Sequence, residues 1–449
     1  MKNTQRSWRL KRVKRAPPGR DRLGGKCYYL KGTWIECLCH ERPTVKIVLA
    51  TFGSRGDVQP MLALSLALQS AGHDVLLAAP PEKAGWAEQL GCPFFPLGSD
   101  VTAFIDDMKN AHSLHSALQF VQYVRREMIS QFEVFPEIIA GADLVIGASL
   151  VFSLATVAES MGIAYRFIAF TPQLLPSGDH PFMAFRHHSF PKWYNRSTWR
   201  MVRLLDRFNL TRMINRKRRE LGLVPVQDAW SHILGDYVIV ASDEAVAKVP
   251  EDAEQAFTQT GYMHLAQPDQ DLPELEAFLS AGAPPVYAGF GSMPKQDQAR
   301  IVPVIVKAVR EIGGRAVIGK FWDEPSEFAD SKDIFFIRKY PHLKLFPRMA
   351  TVIHHGGAGT TASSAVSGVP QIIVPHILDQ YYWGHNVHQQ NLGPKPVWRS
   401  KLTSKRLAGA IRQCLSNDLI KQSARAAAER IKQQDSLEMT VRAVLGNPE

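Results

Sequence analysis

Cysteine is scarce. The 449 residues hold five: Cys27, Cys37 and Cys39 near the start, and the isolated Cys92 and Cys414. An odd number without regular spacing excludes a disulfide framework and fits reduced thiols in a cytoplasmic setting. Cys37-Leu38-Cys39-His40 lacks the paired C-x-x-C spacing of structural zinc sites, so no metal is expected there. Membrane-spanning runs are missing as well. The uncharged stretch Leu144–Ala158 is shorter than the roughly 20 residues needed and contains Gly147, Ser149 and Ser153. The basic start does not read as a secretory signal, because Lys31 and Glu36 interrupt any apolar stretch after it. Glycine and proline, at 31 and 29, are ordinary for the length and exclude collagen-like or linker-like chains.

Positive charge is plentiful but concentrated. The net charge is +11. Residues 1–45 contain twelve Lys/Arg against Asp21, Glu36 and Glu41, which leaves +2 for all that follows. The body of the chain is therefore near neutral, and no nucleic-acid partner is expected of it. The basic residues 1–44 read as a disordered, solvated extension, with anionic lipid or nucleic acid as the other partners such a tail can take.

From Val45 onward, short apolar runs alternate with helical patterns. VKIVLAT (45–51) and DVLLAAP (74–80) read as buried strands, with a helix between them over Met61–Ala71. Further strands are expected at 144–149, 165–170 and 236–242. A polar, Pro-bracketed stretch after Ala266 reads as a linker, and the pattern then restarts at 285–290, 315–320, 334–340, 351–355 and 371–375. Apolar runs that do not alternate indicate parallel sheets covered on both faces. Phe52-Gly53-Ser54 and Phe290-Gly291-Ser292 follow the first strand of each half, an internal echo. The expected fold is α/β: two Rossmann-like, doubly wound domains facing across a cleft. The expected divisions are a basic extension (1–44), an N-terminal acceptor-binding domain (45–262), a linker (263–284), a C-terminal nucleotide-sugar-binding domain (285–430) and a terminal helix (431–449) that packs back on the first domain.

The segment most suggestive of chemistry is TVIHHGGAGTTASSAVSGVPQIIVPHILDQYYWG (351–384). A strand runs into His354-His355-Gly356-Gly357-Ala358-Gly359-Thr360 and then a helix. Small residues let a ligand approach the backbone, and a helix N-terminus offers free N–H groups and a positive dipole end, which suits a diphosphate. Asp379-Gln380 follows the next strand, where loops at the carboxyl edge of a parallel sheet meet ligand. A carboxylate beside an amide suits vicinal sugar hydroxyls. A zinc site on His354 and His355 is disfavoured, since neighbours on an extended segment point apart.

HHGGAGTT…GVPQIIVPHILDQYYWG resembles the donor-binding signature of the UDP-glycosyltransferase superfamily, whose fold is the two-Rossmann GT-B architecture. FGSRGDVQP (52–60) resembles the first loop of its sterol 3-beta-glucosyltransferase and glycopeptide-antibiotic glycosyltransferase branch. The likeness spans residues 45–430. It implies an inverting glycosyltransferase moving a hexose from UDP-glucose to a hydroxyl of a lipophilic acceptor such as a sterol. It also implies that Asp57 is the general base, against the plainer reading of an N-cap for a helix starting near Pro60. Ser54 positions a substrate or simply forms the turn. Ser292, Gly357, Gly359, Thr360 and one of His354 and His355 contact the donor phosphates. Asp379 and Gln380 bind the sugar, over Trp383. The loop KYPHLKLFPRM (339–349) holds the base, with His342 and Leu343 flanking it. The resemblance implies no cofactor and no metal, the nucleotide sugar being a co-substrate. Asp269-Gln270-Asp271 reads as a linker turn.

The aromatic segment 171–201 is expected to be a loop lining an apolar cleft or resting on a membrane surface, with Phe104, Met108 and Phe120 lining the same cleft. Polyketide, glycopeptide, carotenoid and hydroxy-fatty-acid acceptors fit the sequence too. A nucleotide-sugar epimerase or a non-catalytic nucleotide-sugar-binding protein would keep the fold and change the role.

Overall fold

The computed structural model describes residues 27–30, 33–36, 44–101, 114–268, 270–291, 295–319, 328, 331–338 and 340–446. Ser292, Asp269, Phe104, Met108 and the Cys37–His40 cluster lie outside them, as does the side chain of Phe120. Within the basic extension, which the sequence suggested was without regular structure, β1 (Cys27–Leu30) and β2 (Thr33–Glu36) pair antiparallel, Cys27 opposite Glu36. CYYL and TWIE are rich in the aromatic and β-branched residues that favour strands. This extension is one compact unit and residues 45–449 are another.

The larger unit contains two parallel sheets. The first runs β5-β4-β3-β6-β7-β8-β9, from β3 (Lys46–Phe52), β4 (Asp74–Ala79), β5 (Phe94–Pro96), β6 (Leu144–Ser149), β7 (Ala164–Ala169), β8 (Tyr237–Val240) and β9 (Ala256–Gln259). The second runs β12-β11-β10-β13-β14, from β10 (Val286–Gly289), β11 (Ala316–Gly319), β12 (Ile334–Ile337), β13 (Thr351–His354) and β14 (Gln371–Ile373). Every pairing in both is parallel. In each the strand order reverses beside the first strand, β3 or β10, which is where an open α/β sheet forms its ligand crevice. The unbroken apolar runs are explained by two-sided burial. Val48, Ala50 and Phe52 enter one core layer, Ile47 and Leu49 the other.

Six helices matter for the site. They are α1 (Arg55–Ser70), α2 (Lys192–Asp206), α3 (Leu210–Glu220), α4 (Ala358–Val366), α5 (Gln380–Gln389) and α6 (Ser436–Leu445). α1 begins six residues before the expected Met61. Ser54 and Asp57 form a capping box that starts the helix, and Pro60 is carried inside it. The stretch read as loop to residue 201 becomes helical at Lys192. Most of the stretch read as linker is packed. Met263 and Leu265 join the first domain's core, and a helix over Pro273–Ser280 sets Leu275 and Leu279 against the second sheet. α6 returns to the first domain. Val444 is buried with Val58 and Met61, and Thr440 Oγ1 donates to Thr260 Oγ1 at 2.8 Å.

Candidate active site between the two sheets

The first half of the site is built where β3 becomes α1. Ser54 is the N-cap, its Oγ accepting from Gly56 N at 3.3 Å. Asp57, three residues on, folds back. Its Oδ2 accepts from Ser54 N at 2.7 Å and from Ser54 Oγ at 3.1 Å. Its Oδ1 accepts from Ser149 Oγ at 2.6 Å. Ser149 closes β6 with φ of 59°, a left-handed conformation uncommon outside glycine. From that strained position its hydroxyl meets Asp57. Burial pushes the Asp57 carboxyl above its ordinary range, while Ser149 and Ser54 pull it back. Part of the residue stays solvent-accessible. The N-cap is therefore Ser54 and not Asp57, which closes the capping box from the third helical position and stays partly accessible.

The second half is built where β13 becomes α4. Gly356 has φ of 93°, and a Cβ there would stand 2.8 Å from Ile373 and 3.0 Å from the Gln380 carbonyl, so only glycine fits. The N-cap of α4 is Gly357, with no side chain to cap the helix. Gly357, Gly359 and Thr360 are partly exposed, so the free amides of the first turn are open to a ligand. The paired histidines diverge. His354 is fully buried; its Nδ1 accepts from Gly356 N at 3.1 Å and its Nε2 meets Gln371 Oε1 at 3.0 Å. Both ring nitrogens are thereby spent on bracing the turn. His355 is only partly buried. Its ring stands over Gly291 and Gly357, where a Cβ would lie 3.0 and 2.6 Å from it, and its Nδ1 has no partner. Burial lowers His355 to about 4 and His354 to about 3, so both are neutral near pH 7.

After β14 the chain passes through Leu378, again left-handed at φ of 48°, into Asp379 at the start of α5. Asp379 Oδ2 accepts from Trp383 Nε1 at 3.0 Å, and Trp383 is buried beneath it. Burial raises Asp379 to about 7, and the nearby charge of Asp57 adds to the shift. The two carboxylates thus sense each other across the cleft. Gln380 is buried, its Oε1 accepting from His376 N at 2.8 Å and Ile377 N at 3.0 Å, which fixes the loop before Asp379. His342 stacks on Phe346 with ring centroids 4.4 Å apart and packs edge-on against Tyr287. Burial lowers it to about 3, helped by Arg55 and His355 close by.

Two residues that sequence reasoning passed over complete the cleft. Arg55 reaches from α1 toward Tyr287, Tyr262 and His342, and its guanidinium packs 5.2 Å over the Trp86 ring. Tyr262 brings its hydroxyl to within 2.6 Å of where a Cβ on Gly359 would be, beside Asp57 and Asp243. Arg55 sits inside FGSRGDVQP and was legible there as a cation between two expected site residues. Nothing local in TGYM flags Tyr262.

Comparison with known proteins gives the geometry its family. The glycosyltransferase family 28 N-terminal domain matches residues 47–176, and the erythromycin biosynthesis protein CIII-like C-terminal domain matches residues 331–444. Glycosyltransferase GtfE of Amycolatopsis orientalis is 32% identical over 368 residues, covering 79% of this chain and 88% of that protein. The chain belongs to the UDP-glycosyltransferase superfamily. This glycosyltransferase is also 33% identical over 354 residues to the vancomycin aglycone glucosyltransferase of the same organism, covering 78% of the chain and 85% of that protein. Sterol 3-beta-glucosyltransferase UGT80A2 of Arabidopsis thaliana is 32% identical over 422 residues, 89% of this chain and 65% of that protein. The GT-B fold is shared with solved structures. The kitacinnamycin glycotransferase superposes with TM-score 0.70 at 17% identity, over 90% of this chain and 99% of that one. Glycosyltransferase VinC, solved in complex with DTDP, does so with TM-score 0.63 at 20% identity, over 89% and 98%.

Proposed function

We propose that this glycosyltransferase inverts the anomeric centre as it moves glucose from UDP-glucose to the hydroxyl of a lipophilic acceptor of the sterol class. The observation that carries the reading is a carboxylate facing an uncapped helix N-terminus across one cleft. Asp57 takes the acceptor's hydroxyl proton while that oxygen attacks the anomeric carbon. The bond from that carbon to the phosphate oxygen breaks on the opposite face, and the negative charge passes to the diphosphate. The α4 amides, Gly357, Gly359, Thr360 and His355 receive it, with Ser292 and Arg55 as further contacts. The positive helix end does the work a divalent cation does elsewhere, so no resident cofactor takes part. Asp379 accepts from the sugar hydroxyls, Gln380 and Trp383 hold it in place, and His354 only shapes the turn. His342 flanks the uracil. The sterol class is favoured over glycopeptides by the longer match to the plant enzyme, 422 residues against 354.

Purified protein incubated with UDP-glucose, other nucleotide sugars and a lipid extract tests this. Mass spectrometry of the products should show a hexose added to a sterol-like alcohol from UDP-glucose, and NMR should give a β-linkage. An α-linked product, or hydrolysis of UDP-glucose without transfer, would remove the inverting mechanism.

A further inference from the structure

We propose that α2 and α3 form a docking face for an anionic membrane surface, separate from the donor site. α2 buries one side, through Asn195, Thr198 and Trp199. Asn195 Nδ2 donates to Gly178 O at 2.8 Å and Trp199 Nε1 to His180 O at 3.2 Å, so the helix is fixed to the domain. Its other side is an unusual surface for a water-soluble helix. Trp193 is 71% exposed, Leu204 56%, Leu205 61%, and Phe208, just past the helix end, 76%. Trp193, Leu204 and Phe208 recur at intervals that place them on one stripe of a 3.6-residue helix.

Arg196, Arg200 and Arg207 fall along one flank of that stripe. Arg196 is held by Asp252 at 2.8 Å. Arg200 and Arg207, with Arg212 and Arg219 on α3, are exposed and pair with no carboxylate among the described residues. Residues 190–220 contain ten Lys/Arg against Asp206 and Glu220. Since residues 46–449 total only +2, the rest of that body is net negative and this face is one of its strongly basic segments. An apolar ridge bordered by arginines is the composition of a helix lying in a bilayer interface, side chains in the acyl boundary and guanidinium groups among anionic headgroups. A nucleic acid would use the arginines and leave the ridge in water. A second copy of the chain would bring the same positive charge against itself.

The expected loop character of 171–201 is thereby divided. The part before α2 crosses to the second domain, His180 packing 5.4 Å from Tyr382 and His188 stacking 5.7 Å from His385, both on α5. The exposed ridge starts only after it. The docking face does not depend on which acceptor is used, and it can be tested without donor or acceptor.

The test is co-sedimentation of the full chain with vesicles of phosphatidylcholine alone and with about one-third phosphatidylglycerol. Because residues 1–45 are basic too, the decisive variant keeps every charge: Trp193→Ser with Leu204→Ser and Phe208→Ser. Binding to the anionic vesicles should fall at least about tenfold with the melting temperature unchanged. Arg200→Glu with Arg207→Glu should lower it comparably, and neutral vesicles should bind the wild type weakly. If the serine variant binds like the wild type, the basic extension does the docking and the proposal fails. It fails equally if the wild type is a dimer in solution that the serine variant makes monomeric. Should the serine variant unfold, quenching of wild-type tryptophan by brominated lipid, lost in Trp193→Phe, carries the same decision.

Discussion

The two domains use the same joint for opposite ends. In each, a central parallel strand runs through a glycine turn into a helix whose positive end faces the cleft. In the first domain that end is closed from inside: Ser54 caps α1 and Asp57 folds back onto the cap. In the second it is left open, since Gly357 offers no side chain to the α4 amides. One helix end is satisfied by the protein's own carboxylate; the other is left without a side-chain cap, and in the proposed mechanism it receives the substrate's anion. In the proposed mechanism the same fold element thereby supplies a base on one side and a phosphate site on the other.

The largest effect should come from emptying the closed end of its charge. Asp57→Asn keeps the shape and accepts the same amide, so binding of UDP should change by less than about threefold while turnover falls at least about a hundredfold, the ordinary range for a lost general base. Isothermal titration and a product assay separate the two. Turnover near wild type would mean that the two helix ends do not divide the labour in this way.

Closing the open end should be next in size. Gly357→Asp places an N-cap carboxylate where the proposed mechanism docks the diphosphate, and UDP affinity should drop by more than about tenfold. Gly357→Ala is the control, because any Cβ there displaces the His355 ring. It should cost only a few-fold. Equal losses in the two variants would assign the effect to His355 rather than to charge.

The smallest effect sharpens the comparison instead of breaking it. Ser149 Oγ donates to the ionised form of Asp57 and holds its pKa down. Ser149→Ala removes that donor, so the pKa rises, the base stays protonated to higher pH, and the ascending limb of the kcat/KM profile moves upward. The loss should be largest at the low end of the pH range and shrink as the pH rises. A uniform loss at all pH values would mean that Ser149 acts through structure alone.

Much of this was legible in the chain. The parallel strands announced themselves as apolar runs, because burial on both faces leaves no alternation to disguise them. The turn at 354–360 could be recognised from its glycines. Its division of labour could not: which histidine faces the cleft depends on Gln371, 17 residues away, taking up the ring of His354. The early start of α1 was hidden by Pro60, which reads as a helix beginning when it is in fact carried inside. Ser149 looked like any strand-end serine until its left-handed backbone and its bond to a residue 92 positions earlier were seen. Long-range contacts of this kind leave no local pattern.

The return of α6 to the first domain has a mechanical consequence. The polypeptide passes between the two halves twice, once after Leu265 and once before Ser436, and α6 is anchored by Val444 and by the Thr440–Thr260 bond. Two tethers restrict the halves to rocking about the line joining the crossings, and a protease that nicked either tether would still leave them joined by the other. The last ten helical residues thus serve as a second hinge pin, holding the jaws to one axis of closure.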